Sequence, residues 1–256
     1  MQFKQNRETD IVTENVMFSR YLSTQKLLSF LFEKNMLFTR LDIFEDIIEG
    51  MTMKNIAEYE IYGPITNPNF PNLEASNESH KRVREKIERE TINSQKSQYV
   101  SCWFTDDWES KAMWDIYSST DGILIKIKGS KLFNLIKLNL SDLVDDAWQV
   151  FSYGFCEYRK LTPFDYRQHK ANDTFNSYKK DSCYKHENEF RFVAHRHNGF
   201  DDENLKVFSI NIKEIINDFE IIFHPKMESW KKENIKKILV ELNLEIKCND
   251  SKIRLR

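Results

Sequence analysis

Short apolar runs along the chain predict strands and helices of ordinary length. The run Val16–Leu22 is rich in β-prone residues and predicts a strand. Ser23 then suits the N-cap of a helix over Thr24–Lys34, because a serine oxygen accepts a backbone N–H of the first turn. This helix carries an apolar stripe formed by Leu27, Leu28, Leu31 and Phe32. We expect the stripe to face a core.

Similar patterns recur to the end of the chain. Strands are predicted over Met36–Arg40, Gln98–Phe104, Gly122–Lys128, Trp148–Tyr158, Glu189–Ala194, Val207–Ile210 and Phe219–Phe223. Helices are predicted over Met51–Ile61, Asn77–Ser97, Ser110–Ser118, Ser130–Ile136, Thr162–Asp181 and Ser229–Leu242. Because only some spacers between strands are helices, the pattern predicts an α+β fold with a mixed, mainly antiparallel sheet and flanking helices. A doubly wound fold is disfavoured, since neither G-x-G-x-x-G nor G-x-x-x-x-G-K-[ST] occurs.

The length of 256 residues suits a single domain, residues 1–256, that carries an insertion. Apolar residues make up 40% of the chain and charged residues 30%, so a buried core is expected. Residues 63–97 are predicted to form a surface insertion. Three of the five prolines lie in Gly63–Leu73, and the charged helix that follows has few apolar positions.

Charge and cysteine usage narrow the class of protein. The formal charge of −2 gives no indication of binding to nucleic acid or to an anionic membrane. The four cysteines form no C-x-x-C pair, so we expect reduced thiols, a cytoplasmic protein and no bound metal. The N-terminal MQFKQNRETD has no apolar segment, and no apolar run approaches the roughly 18 residues of a membrane helix. A membrane partner is therefore not expected.

Two segments combine polar groups with aromatic rings. Arg20 lies within a predicted strand, where its guanidinium group could bind phosphate oxygens or simply extend to solvent at the strand end. Ser101 lies on the strand Gln98–Phe104, and Trp114 and Tyr117 follow on a short helix. The hydroxyl could orient a polar ligand and the rings could stack on a planar group. The alternative is an aromatic core cluster capped by hydroxyls.

A third segment holds two acidic residues, Glu187 and Glu189, at alternate positions before a strand. Alternate strand residues point the same way, so both carboxylates are expected on one face, where their repulsion should raise one pKa. A carboxylate beside a ribose can stabilise the cation that forms when a glycosidic bond breaks. The alternative is a solvated strand start in which Arg191 pairs with one of the acids.

Taken in order, five segments resemble a widespread bacterial family, domain-of-unknown-function family 2971. These segments are FSRYLS, LFTRLDIFEDIIEG, SCWFTDDWESKAMWDIYSSTDGILIKI, YKHENEFRF and EIIFHP. The resemblance covers nearly the whole chain from Val16 onward. The chain departs from the family pattern at Asp46–Glu49, where Asp-Pro is common, and at Lys185-His186, where an aromatic residue often stands.

The order of arginine strand, serine strand and E-x-E is also similar to the R-S-E layout of ADP-ribosyltransferases. This resemblance implies an ADP-ribosyltransferase-like fold with NAD as substrate. It implies that Arg20 holds the phosphate or ribose of NAD and that Ser101 supports the nicotinamide pocket. It also implies that Glu189 stabilises the ribosyl cation and that Glu187 assists the acceptor.

Three functional hypotheses follow. The first is an ADP-ribosyltransferase-like enzyme or NAD glycohydrolase, in phage defence or toxin biology, that cleaves the nicotinamide glycosidic bond while Trp114 or Tyr117 stacks on the nicotinamide. Its acceptor, protein or nucleic acid, is left open. The second is a non-enzymatic module that binds a small-molecule nucleotide or a regulatory partner. The third is a nuclease that holds a metal ion with Glu187, Glu189 and Asp106 or Asp107. It is ranked last because no lysine follows the acidic pair at the usual short spacing.

The first two hypotheses differ in a structural requirement. The transferase hypothesis requires Arg20, Ser101 and Glu189 to line one cavity, although they are far apart in sequence. A pair of them on opposite faces of the sheet would refute the transferase hypothesis.

Overall fold

A ten-stranded sheet forms the centre of the protein. The computed structural model describes residues 2–6, 16–46, 49–139, 148–159, 176–197 and 205–254. The strands of the sheet are β1 (Gln2–Gln5), β2 (Met17–Leu22), β3 (Asn35–Arg40), β4 (Gln98–Phe104), β5 (Ile123–Lys128), β6 (Trp148–Phe155), β9 (Glu189–Arg196), β10 (Val207–Asn211), β11 (Glu220–Phe223) and β12 (Lys247–Asp250). A separate parallel pair is formed by β7 (Glu157–Arg159) and β8 (Lys179–Asp181).

The strand order confirms the predicted α+β fold with a mainly antiparallel sheet. The main path runs β1-β6-β9-β4-β2-β5-β11-β12, while β3 joins β4 and carries β10 on its other side. Within this sheet β1–β6 and β11–β12 are parallel pairs, and the other pairs are antiparallel.

The helices follow the apolar patterns closely. They are α1 (Thr24–Glu33), α2 (Met53–Ile61), α3 (Leu73–Lys96), α4 (Lys111–Tyr117), α5 (Gly129–Asn139) and α6 (Ser229–Glu241). Ser23 caps α1, as predicted, by accepting a hydrogen bond from the backbone N–H of Lys26 at 3.4 Å. None of the described helices has both the length and the apolar character needed to cross a bilayer.

The helix predicted over Thr162–Asp181 is wrong where it can be checked. Residues 160–175 lie outside the described residues. Asn176–Tyr178 forms a 3-10 turn and leads into β8. Pairing of β8 with β7 accounts for the extended backbone, because tertiary pairing overrides a weak helical preference.

The predicted insertion, residues 63–97, contains an irregular stretch followed by α3. One face of α3 is buried through Ile87, Thr91 and Gln95, and Ile87 packs with Met51 and Ile56 beside α2. The rest of the helix surface is largely exposed. The helix therefore covers neighbouring structure with a narrow apolar stripe, as its few apolar positions dictate.

Aromatic side chains fill the main core on one face of the sheet. Phe18 on β2 lies 4.9 Å from Phe190 and 5.8 Å from Phe192, measured between ring centroids. A smaller cluster on the other face contains Tyr21 and Trp114. Both faces are thus covered, and the register fixes which side chains reach each one.

The sheet splits where β2 and β3 meet β4. Strand β9 pairs with β4 along its full length on one edge. On the other edge, β2 pairs only through Ser19 opposite Phe104, and β3 pairs only through Thr39 and Arg40. On this edge, between these contacts, residues 101–103 of β4 pair with neither β2 nor β3, although they pair with β9 on the other edge. The two strands diverge because β2 continues along β5 and β3 along β10.

Candidate functional site

A cavity of about 740 Å³ lies at the split between β2 and β3. Its walls come from β2, α1, β3, β4, α4 and the 3-10 turn Ser182–Glu187 that precedes β9. This volume falls in the range of small-molecule sites, which is about 300–1,000 Å³. The cavity therefore has room for a nucleotide-sized ligand.

Glu189, the first residue of β9, presents a fixed carboxylate to the cavity. Its Oε2 accepts hydrogen bonds from Arg191 Nε at 2.8 Å and Nη2 at 2.5 Å. Its Oε1 has no hydrogen-bond donor among the residues that the structure describes. Burial acts to raise the pKa of Glu189, but Arg191 and Lys180 outweigh it and lower that pKa. The carboxylate is therefore ionised at neutral pH. Arg191 holds one of its oxygens, and the other is free of hydrogen bonds from the described residues.

Lys180 on β8 links the two acidic residues of the E-x-E segment. Its ammonium group contacts Glu187 Oε2 closely and lies 3.8 Å from Glu189 Oε2. Burial acts to lower the pKa of Lys180, but the charges of Glu189, Glu49 and Glu187 raise it overall. Nothing in the sequence around Lys180 indicates this role, because the contact depends on the β7–β8 pairing.

Glu187 is fully occupied by protein contacts. Tyr117 donates its hydroxyl hydrogen to Glu187 Oε1 at 2.5 Å, while Lys180 contacts the other oxygen. Burial and this bond to Glu187 raise the pKa of Tyr117, so its phenol stays protonated. Glu187 thus serves here to hold Tyr117 and Lys180 in place.

The local geometry of the acidic pair differs from the predicted alternation along a strand. Glu187 ends a 3-10 turn, and Asn188 adopts a left-handed φ of 35° before β9 begins. The two carboxylates still meet, because both approach Lys180. The expected rise in pKa is wrong for Glu189, because two neighbouring cations offset the repulsion between the acids.

Glu49 and Arg191 are two further buried charged residues beside Glu189. Arg191 is fully buried, pairs with Glu49 and Glu189, and donates to the carbonyl oxygen of Ser177 at 2.6 Å. Burial raises the pKa of Glu49, although Arg191 and Lys180 moderate the rise. The alternative expected from the sequence, in which Arg191 pairs with one of the acids, is thus observed, although the pair is buried and not solvated.

A glycine allows Glu49 to reach this interior position. Gly50 has a left-handed φ of 80°, and a Cβ there would lie 2.5 Å from Leu41 Cδ2. The backbone oxygen of Glu49 accepts a hydrogen bond from Gln95 Nε2 at 2.5 Å. A side chain at position 50 would be strained by the left-handed φ and by the close approach to Leu41.

Arg20 is a cation on the cavity wall that has no counter-ion in the described part of the chain. Its Cζ lies 5.8 Å from the Trp103 ring centroid, and the guanidinium group makes no hydrogen bond or ion pair with any described residue. Burial lowers the pKa of Arg20, whereas the nearby Cys102 and Glu189 act to raise it. An arginine remains protonated under such conditions, so a positive charge faces the cavity.

Ser101 and Trp114 do not line the cavity, contrary to expectation. Ser101 is buried and accepts a hydrogen bond from Trp103 Nε1 at 3.2 Å. Trp114 packs 4.9 Å from the Tyr21 ring, in the core between α4 and the sheet. Tyr117, near the end of the same helix, is half-exposed and does line the cavity.

The pairing register explains why Ser101 is turned away. Ser101 lies opposite Phe192, whereas Glu189 lies opposite Phe104, so their side chains point to opposite faces. Arg20 lies opposite Ile125 and shares the Ser101 face. Arg20 and Glu189 nevertheless line one cavity, because the sheet is open between β2 and β3. Ser101 and Arg20 thus both point away from the Glu189 face, so the R-S-E layout of a transferase is not present here, and NAD chemistry at this site has to rest on Arg20, Glu189 and the cavity alone.

No family model, curated protein or solved structure matches this chain. The geometry of the cavity is therefore the basis of the functional argument.

The described residues offer no set of metal ligands for the nuclease hypothesis. The described residues contain no group of three or more side chains arranged to hold a metal ion. Asp106, one of its candidate ligands, accepts a hydrogen bond from Asn188 Nδ2 at 2.6 Å. Glu187 and Glu189 are both already paired with cations.

Proposed function

We propose that the cavity binds NAD and that the protein cleaves the bond between nicotinamide and ribose. The observation that carries this proposal is the state of Glu189. It is an ionised carboxylate with one oxygen held by Arg191 and the other without a protein partner among the described residues. On the same cavity lies Arg20, a cation without a counter-ion in the described part of the chain.

The proposed chemistry uses Glu189 as an electrostatic stabiliser. When the glycosidic bond breaks, its electron pair moves to the ring nitrogen and neutralises the pyridinium, so the leaving group needs no proton. Positive charge then develops on the ribose, and a preorganised carboxylate stabilises that charge. Water or another nucleophile bonds to the ribose carbon and releases its proton to the solvent. Arg191 and Lys180 keep Glu189 ionised for this role.

Binding energy would come from two other groups. The planar guanidinium group of Arg20 suits the phosphate oxygens of a dinucleotide, which it can bind through two parallel hydrogen bonds. The half-exposed ring of Tyr117 offers a surface for an aromatic ring of the ligand. Tyr117 is itself held by Glu187, which limits the ordering needed on binding.

The test compares NAD consumption by the parent protein with that by Glu189→Gln. The substitution keeps the volume and removes the charge, so we expect turnover to fall by about 100-fold or more. Glu33→Gln is the matched control, because Glu33 lines the same cavity but is exposed on α1. NAD binding by calorimetry verifies that the Glu189→Gln variant is folded. Parent-level turnover in that variant would refute the catalytic role.

A non-enzymatic nucleotide-binding module is the second candidate. It is favoured by the register, which turns Ser101 away and brings Arg20 and Glu189 to the cavity from opposite faces. In that case the protein binds NAD without consuming it. Arg20→Met would weaken binding, while the parent protein and Glu189→Gln would both leave nucleotide turnover at the buffer rate.

A further inference from the structure

Ser19 on β2 is a buried serine in the cavity wall. Its side chain is 1% exposed, and its Oγ has no hydrogen-bond partner among the described residues. It lines the cavity beside Arg20. A buried hydroxyl without a partner destabilises a folded protein, and such groups are rare for that reason. The presence of Ser19 at this position suggests a bond that forms only with a ligand.

The position of Ser19 relates it directly to Glu189. Ser19 lies opposite Phe104 on β4, and Phe104 lies opposite Glu189 on β9. The three residues therefore form one row across three strands, with their side chains on one face. Because neighbouring strands are about 4.8 Å apart, the backbones of Ser19 and Glu189 are about 10 Å apart. Phe104 occupies the middle of this row on the same face, so a group that contacts both side chains would lie across the Phe104 ring, which also lines the cavity.

Ser101 provides an internal contrast. It is also a buried serine on a strand of the same sheet, but it points to the opposite face and already accepts a hydrogen bond from Trp103. Its hydroxyl is satisfied without a ligand. Of these two serines, Ser19 is the one whose hydroxyl has no hydrogen-bond partner among the described residues.

We propose that Ser19 is a specificity-determining residue that hydrogen bonds the carboxamide of the nicotinamide leaving group. This inference rests on the proposed function. The row places Ser19 on the side of Glu189, where the scissile bond would lie, and away from the face of Arg20, where the phosphates would lie. A site that hydrogen bonds a polar group rejects an analogue without it.

The experiment compares Ser19→Ala with Ser101→Ala. For each variant the melting temperature is measured without ligand. Dissociation constants are then measured for NAD and for the analogue in which a methyl group replaces the carboxamide. Catalytic turnover is suppressed by carrying out the titrations in the Glu189→Gln background.

We expect Ser19→Ala to keep or raise the melting temperature, because no protein hydrogen bond is lost. Its affinity for NAD should fall by about 3- to 10-fold, the value of one hydrogen bond, while its affinity for the methyl analogue stays the same. Ser101→Ala should show the reverse, a lower melting temperature and an unchanged preference for NAD, because it loses the bond from Trp103.

Two results overturn the inference in distinguishable ways. If NAD binds and Ser19→Ala keeps the full preference for NAD over the analogue, Ser19 does not contact the carboxamide, whereas NAD cleavage by the parent protein would still support the proposed function. If neither the parent protein nor Ser101→Ala binds NAD, the proposed function fails and the role of Ser19 fails with it.

Discussion

Replacement of Arg191 by methionine should test whether the buried charges are held together as the structure indicates. Arg191 is fully buried and contacts two carboxylates, Glu49 and Glu189. Methionine has a similar length but no charge, so both carboxylates would lose a partner inside the protein. Breaking a buried ion pair in this way costs about 3–5 kcal/mol. For a chain of this size the melting temperature should fall by about 6–20 °C.

The loss should depend on pH. In the parent protein the folded pKa of Glu189 is lowered, so its contribution to stability is present above the unfolded pKa of about 4.3 and is lost as the pH falls through the folded pKa. In the Arg191→Met variant burial acts without the guanidinium group and raises the pKa of Glu189. The variant is then most destabilised at pH 7 and gains stability as the carboxylate takes up a proton. The difference between the two proteins should shrink between about pH 7 and about pH 4.5.

Urea unfolding at both pH values measures this difference, and Arg82→Met is the matched control. Arg82 pairs with Glu78 at 3.3 Å on α3, where its side chain is 75% exposed. Loss of such a surface pair costs about 0–1 kcal/mol. If Arg191→Met unfolds like Arg82→Met, or if its deficit is the same at both pH values, the buried pairing is not what stabilises this region.

Two further predictions concern the groups around Glu187. In calorimetry, Tyr117→Phe should retain NAD affinity, whereas Tyr117→Ala should weaken it by about 2- to 12-fold, because ring contact is worth about 0.5–1.5 kcal/mol. If Tyr117→Ala leaves the affinity unchanged but lowers the melting temperature, Tyr117 is a core residue. Lys180→Met removes the cation shared by Glu187 and Glu189, so the acid limb of the pH–rate profile for NAD cleavage should move to higher pH, and Lys180→Arg should restore it. An acid limb that does not move would show that Lys180 has no influence on the ionisation of Glu189.

Local sequence rules predicted the elements well. The cap at Ser23 and the alternating strand around Ile123–Lys128 depend on neighbouring residues alone, and the structure shows both. The proximity of Glu187 and Glu189 was also predictable from their spacing, since residues two apart rarely separate. These successes share a cause, which is that the deciding contacts are short in sequence.

The parts of the site that the sequence did not predict depend on strand pairing. Lys180 and Glu49 reach Glu189 only through the β7–β8 pair and the turn at Gly50. The choice between Ser19 and Ser101 depends on a register, and a shift of one residue would exchange the two faces. A polar residue in a β-prone run indicates only that its polar group needs a hydrogen-bond partner. Ser19 and Ser101 both fit this description, so the sequence does not distinguish them.

The cavity lies where β2 and β3 diverge, so its width depends on how the helix that joins these two strands packs. The two strands are anchored to β4 at separate points and are joined by α1, whose Leu27 and Leu31 are buried in the main core. A change in the volume of these leucines would tilt α1 and alter the angle between the strands. The opening could then be widened or narrowed by residues that never touch a ligand, while the row from Ser19 to Glu189 stays in register. Ligand size could therefore change through the core without any change in the residues proposed to carry the chemistry.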